Sequence, residues 1–283
     1  MVSYGVNMID KALTIGGVSV PRLGFGTWTL RGEQCASVVT EALRAGYRHV
    51  DTAQGYDNET AVGDGLRASG VSRSDVFITT KVRPQLISNG PLQKSVEESL
   101  KRLQVDRIDL LLIHWPNPAI AVRETITALS ETKRSGLTRN IGASNFTVAL
   151  LDEAVRASPE PLLTNQIELH PFLDQERILA ATRRHKLVVT AYCPLALSRV
   201  AREPLLQEIG AAHTKTPAQV ALRWLIQQGD VIAIPKASSA EHLRENLDVF
   251  DFELSSDEVR SIGALGRTNM RLINEPQWVP EWD

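Results

Sequence analysis

The chain has 283 residues, 43% of them apolar and 23% charged, which are the proportions of a soluble globular protein large enough for one sizeable core. A formal net charge of −2 gives no basis for a nucleic-acid or anionic-membrane partner. No apolar run approaches the ~18 residues of a membrane span, the first seventeen residues lack a basic start followed by an apolar core, and the two cysteines, Cys35 and Cys193, form no metal pattern; the expectation is a cytoplasmic protein.

In chain order, Leu13–Ile15 and Val18–Val20 flank Gly16-Gly17, a two-residue hairpin signal. Strand-like runs follow at Leu23–Gly26, Arg48–Asp51, Val76–Lys81, Ile108–His114, Asn140–Ser144, Thr164–Glu168, Val188–Tyr192 and Val231–Pro235. Helix-like runs separate them at Glu33–Ala45, Ala61–Ser69, Leu92–Leu103, Val122–Ser135, Thr147–Ala157, Gln175–His185 and Pro217–Gln228, with an extra segment, Pro204–Ala212, before the last. Eight strands alternating with helices predict parallel pairing and a closed (β/α)8 TIM barrel, here as a single domain over 1–283. A doubly wound open sheet is the alternative, weakened because no GxGxxG follows the first strand. The tail from Arg271 carries Trp278 and Trp282 without helical spacing; these rings must pack on the barrel's side or wall its mouth.

A barrel keeps its chemistry at the C-terminal ends of its strands. Those ends carry Asp51 with Tyr56 just beyond, Lys81, His114 with Trp115, Ser144-Asn145, Gln166, Tyr192 and Lys236. Each has a bland reading: a surface lysine, a core histidine, capping amides, a packed tyrosine. The fold expectation puts them all on one face, which makes the joint coincidence improbable. A lysine ammonium ~4 Å from a phenol, at an effective dielectric of ~20, is worth roughly 4 kcal/mol, so Lys81 is expected to acidify Tyr56 toward a usable proton donor, less what Asp51 offsets. His114 can orient the same substrate oxygen. With no metal ligands, this suits carbonyl reduction by an external hydride; Asn145 and Gln166 can hold a carboxamide, and Tyr192 can stack on a flat ring.

These segments resemble the aldo-keto reductases, in particular the bacterial 2,5-diketo-D-gluconate reductases of the B type. The motifs are GFGTW at Gly24–Trp28, GYRHVDTAQGYDNE at Gly46–Glu59, ITTK at Ile78–Lys81, LIHWP at Leu112–Pro116, IGASNF at Ile141–Phe146, NQIELHP at Asn165–Pro171 and IPKASSAEHLRENL at Ile234–Leu247. The resemblance implies NADPH (NADP) extended across the barrel mouth and a catalytic tetrad of Asp51, Tyr56, Lys81 and His114, with Tyr56 as general acid. It implies that Ser144, Asn145 and Gln166 bind the nicotinamide amide and that Tyr192 stacks on its ring. Gly26, Thr27, Trp28, Pro194, Leu195 and Ile234 join the cofactor contacts, and Lys236, Ser238, Ser239, His242, Glu245 and Asn246 take the adenosine end. Trp28, Trp115 and Trp278 line the substrate pocket beside Tyr56.

Two positions depart from the pattern. His242 stands where the family usually has Arg, and Ala237 where it usually has Ser, so the preference for NADPH over NADH is expected to weaken, with NADH tolerated. Short stretches after Trp115 and Tyr192 imply an open pocket and small carbonyl substrates: methylglyoxal, aromatic aldehydes, keto sugars or keto esters. A monomer is expected. The competing readings are a class I aldolase using Lys81 as a Schiff base and a non-catalytic NADP(H)-binding subunit.

Overall fold

The computed structural model describes residues 9–283; the first eight, on which part of the expectation of no export signal rests, lie outside the described residues. Strands β1 (Ala12–Ile15) and β2 (Val18–Pro21) form the expected antiparallel hairpin, with Ile15 opposite Val18. Its turn needs φ > 0 at both central positions, and Gly16 and Gly17 supply φ values of 55° and 81°.

Eight strands then form one sheet in sequence order: β3 (Phe25–Gly26), β4 (His49–Asp51), β5 (Phe77–Val82), β6 (Ile108–Ile113), β7 (Thr138–Ser144), β8 (Leu162–Glu168), β9 (Val188–Tyr192) and β10 (Val231–Ala233). Every neighbouring pair is parallel. The sheet curls into a barrel, because Leu23 bridges Ala233 in parallel and Gly24 donates its N–H to the Ala233 carbonyl at 2.8 Å. Gly26 permits the close approach at this seam: a Cβ there would sit 2.9 Å from the carbonyl oxygen of Ile234.

The connections are α1 (Gly32–Ala45), α2 (Glu59–Ser69), α3 (Pro91–Leu103), α4 (Val122–Arg134), α5 (Val148–Ala157), α6 (Glu176–Arg184), α7 (Pro204–His213) and α8 (Pro217–Ile226). Threonine caps explain two of the starts: Thr147 accepts from the Leu150 N–H and Thr216 from the Gln219 N–H. Two further helices, α9 (Ala240–Leu247) and α10 (Ser256–Ala264), follow β10 and were not among the expected runs.

The core has two parts. A large one lies between the barrel and its helices. A smaller one, Leu110, Leu112, Leu163, Val188 and Ile232 with Val20, fills the barrel interior, and Leu13, Ile15 and Val18 of the hairpin pack against it. The hairpin therefore plugs the N-terminal end of the barrel and leaves the C-terminal end as the mouth. No helix among the described residues is long and apolar enough to cross a membrane.

Candidate active site

The loop after β4 is held from three sides. Asn58, buried, donates to the Thr27 and Leu30 carbonyls at 2.9 and 3.1 Å and accepts from the Thr52 hydroxyl at 2.7 Å. Gln54 donates to Ser95 and Ser99 on α3, while Arg83 donates back to the Gln54 carbonyl at 2.7 Å. Glu59 accepts from Thr80 at 2.6 Å and from Arg102 at 2.8 Å. Asn58, Gln54 and Glu59 thus serve as braces, and what they brace is Tyr56.

Beneath Tyr56 lies a buried ion pair. Lys81 Nζ is 2.5 Å from Asp51 Oδ1, with both side chains about 1–2% exposed, and it also donates to the Thr52 carbonyl at 2.9 Å. Nζ stands 3.4 Å from the Tyr56 hydroxyl. The other Asp51 oxygen accepts from Gln166 at 2.8 Å. The Tyr56 and His114 rings meet edge to face, 5.5 Å between centroids. Parallel register and pleat alternation bring these residues together: β4, β5 and β8 turn Asp51, Lys81 and Gln166 inward near the mouth.

The electrostatics correct one expectation. Burial raises the Tyr56 pKa, and the opposing pull of Lys81 does not overcome it, with Asp51 adding to the rise. Tyr56 is therefore a phenol that stays protonated rather than an acidified one. Burial is also the largest influence on Lys81 and would lower it, but Asp51 and Tyr56 together carry it above its ordinary value, so it remains an ammonium. His114 falls well below the usual histidine value through burial first, then through Lys81 and Arg83, and is a neutral imidazole.

These groups open into a cleft of about 940 Å³ at the barrel mouth. On one flank its wall includes Gly26, Thr27, Ser144, Asn145, Gln166, Tyr192, Pro194, Leu195, Ile234, Lys236, Ser238 and His242. Asn145 adopts φ 62°, a left-handed conformation that asparagine tolerates. It donates to the His114 carbonyl at 3.0 Å and accepts from the Tyr192 hydroxyl at 2.8 Å. Lys236 reaches Thr29 Oγ1 at 3.0 Å. Two amides, a flat phenol ring and an exposed ammonium are a donor set that suits a carboxamide, an aromatic ring and a phosphate.

Three expected cofactor residues stand off this wall. Ser239 caps α9 by accepting from the His242 N–H at 3.2 Å, Glu245 accepts from Thr216 at 2.5 Å, and Asn246 is buried. On the other flank Trp28, Trp115 and Trp278 line the cleft together with Arg83, Ile273 and Glu275. The tail thus walls the mouth: Trp282 packs on Trp115 at 6.1 Å between centroids. Arg83 and Ile273 carry no sequence signal, since neither sits in a periodic run.

The sequence profile of the aldo/keto reductase family matches residues 22–267. The chain is 40% identical over 269 residues to the methylglyoxal reductase DkgB of Escherichia coli O157:H7, covering 94% of this chain and all of that protein. It is 40% identical over 248 residues to an aldo-keto reductase of Mycolicibacterium vanbaalenii, covering 87% and 88%. Among solved structures it resembles one assigned as a 2,5-diketo-D-gluconic acid reductase B, with TM-score 0.95, 44% identity and coverage of 97% and 98%. It also resembles the Bombyx mori aldo-keto reductase in complex with NADP, with TM-score 0.88, 32% identity and coverage of 94% and 96%. Barrel, mouth and sequence agree, and the chain belongs to the aldo/keto reductase family of oxidoreductases.

Proposed function

We propose that this enzyme reduces small aldehydes and ketones to alcohols with NADPH, with Tyr56 giving the proton to the carbonyl oxygen. The observation that carries the reading is the Tyr56 hydroxyl 3.4 Å from a buried, charged Lys81 beside a neutral His114 at the floor of an open cleft. Bound NADPH supplies the hydride. Ser144, Asn145 and Gln166 hold its carboxamide and Tyr192 its ring, while Lys236, Ser238 and His242, backed by Ser239, Glu245 and Asn246, take the adenosine end. His114 points a neutral imidazole at the substrate oxygen and orients it without competing for the proton. Tyr56, protonated throughout the neutral range, then donates to the oxygen as negative charge develops. Asp51 keeps Lys81 charged, and the ammonium stabilises the phenolate left behind.

Methylglyoxal is the first substrate to test, given the DkgB relatives. Tyr56→Phe is expected to lower kcat by about 10²–10⁴-fold and leave NADPH binding intact, measured by loss of nicotinamide absorbance and by cofactor titration. Undiminished turnover would remove Tyr56 from the role. NADH is proposed as a second cofactor, because His242 offers no fixed charge and Ala237 no hydroxyl to a 2′-phosphate. The ratio of kcat/KM for NADPH to that for NADH is expected to stay below about 10³, since Lys236 is left as the main charge contact and such a contact is worth only a few kcal/mol. The reading takes residues 1–283 as one catalytic domain acting as a cytoplasmic monomer, to be checked by sizing in solution. A Schiff-base role for Lys81 is disfavoured, because its ammonium is held by Asp51 and is a poor nucleophile.

A further inference from the structure

Glu168 ends β8 two residues beyond Gln166 and on the same face of the strand. Gln166 holds Asp51 at the floor of the cleft, so Glu168 lies one layer nearer the mouth. Its side chain is 0% exposed, and a carboxylate so placed requires hydrogen-bond donors. Arg271 comes only to 4.0 Å. The donors are instead main-chain amides of the C-terminal tail. Leu272 N–H reaches Oε1 at 2.7 Å and Ile273 N–H reaches Oε2 at 3.0 Å, while His170 Nε2 lies 2.9 Å from Oε1.

The tail beyond this point has few other fastenings. Arg271 stacks on Trp282 at 3.7 Å from its ring centroid, Trp282 packs on Trp115, and Asp283 accepts from the Val148 N–H at 2.9 Å. Between these ends run Ile273, Glu275 and Trp278, which line the cleft. We propose that Glu168 is a positioning residue for the carbonyl substrate: by gripping two consecutive tail amides it sets where the Ile273–Trp278 wall stands over Tyr56 and His114. One strand then governs both sides of the cleft, with Gln166 at the cofactor floor and Glu168 at the substrate wall. The kinetic part of this proposal rests on the carbonyl-reductase reading; the anchoring itself does not.

Glu168→Gln tests it. The amide has one oxygen in place of two, so whichever way it turns an NH₂ faces Leu272 N–H or Ile273 N–H and one tail amide loses its acceptor. The assay compares methylglyoxal, a small aldehyde, with 2-naphthaldehyde, whose fused rings offer far more surface to that wall. The expected result is a KM for 2-naphthaldehyde raised about tenfold, with methylglyoxal kinetics and NADPH Kd unchanged. Hydrogen exchange at the Leu272 and Ile273 amides should quicken in the variant while the barrel strands stay protected. Equal losses on both aldehydes, or an unaltered KM for 2-naphthaldehyde, would overturn the proposal. Should the variant fail to fold, exchange in the unaltered enzyme decides: slow Leu272 and Ile273 amides beside fast Gln277 support the anchor, and equally fast ones refute it. Should the unaltered enzyme reduce neither aldehyde, the functional reading falls while the exchange comparison still judges the anchor.

Discussion

In the proposed mechanism Lys81 serves stability and chemistry together. Its ammonium is fully buried and tolerable only because Asp51 and the Thr52 carbonyl surround it. Its folded pKa lies above the unfolded value, so its contribution to stability is complete below about 10.5 and is lost only as pH climbs through the folded value. Lys81→Met would leave Asp51 as an unpaired buried charge, at a cost of about 3–5 kcal/mol. The double substitution Asp51→Asn with Lys81→Met is expected to regain most of that stability in urea denaturation and none of the turnover, separating the two roles. The residues at seven of the strand ends were legible in the sequence because residue type and fold position coincide there. Glu168 was not, although it sits inside a quoted motif: its partners are tail amides more than a hundred residues away, and main-chain donors leave no trace in side-chain chemistry. The direction of the Tyr56 shift was not legible either, because desolvation depends on packing that a residue list does not contain.

Among the elements, α1 and α2 show what amphipathic spacing conveys and what it omits. Spacing puts Arg44 on the solvent face of α1, where it should matter little, and it is indeed exposed. Yet its guanidinium donates to the Ala68 carbonyl at 2.7 Å and the Ser69 carbonyl at 3.4 Å, satisfying the last acceptors of α2. Arg44→Ala is therefore expected to leave kcat/KM unaltered and to lower stability by about 1 kcal/mol, read from the denaturation midpoint. The eight strands and seven of the connecting helices follow the sequence periodicities with boundaries displaced by a residue or two. Helices α9 and α10 escaped because they lie beyond the last strand, where the alternating pattern no longer predicts anything. The signal for α10 was local: Ser255 and Glu258 form a capping box, hydroxyl to N–H and carboxylate to N–H.

For the whole molecule, the barrel interior is a stack of layers, apolar near the hairpin and charged near the mouth. Between them sits His49, 1% exposed, with Nε2 3.0 Å from Thr79 Oγ1. Burial, ahead of every nearby charge, lowers its pKa to about 4. Between that value and 6.5 the unfolded chain binds a proton that the folded chain refuses. The contribution to stability is thus full above about 6.5 and falls away as pH drops toward 4, by about 3 kcal/mol in all. Urea titrations from pH 7 to pH 4 should show this loss, and His49→Asn should flatten that part of the profile. A profile left as steep by His49→Asn would assign the acid sensitivity to carboxylates instead.

The apolar layer of Leu110, Val188 and Ile232, with the hairpin seated against it, closes the barrel from below, so the cleft above it is a well. Two ligands that share a well have one doorway. Whichever settles lower is expected to arrive first and depart last, an order that product-inhibition kinetics would reveal.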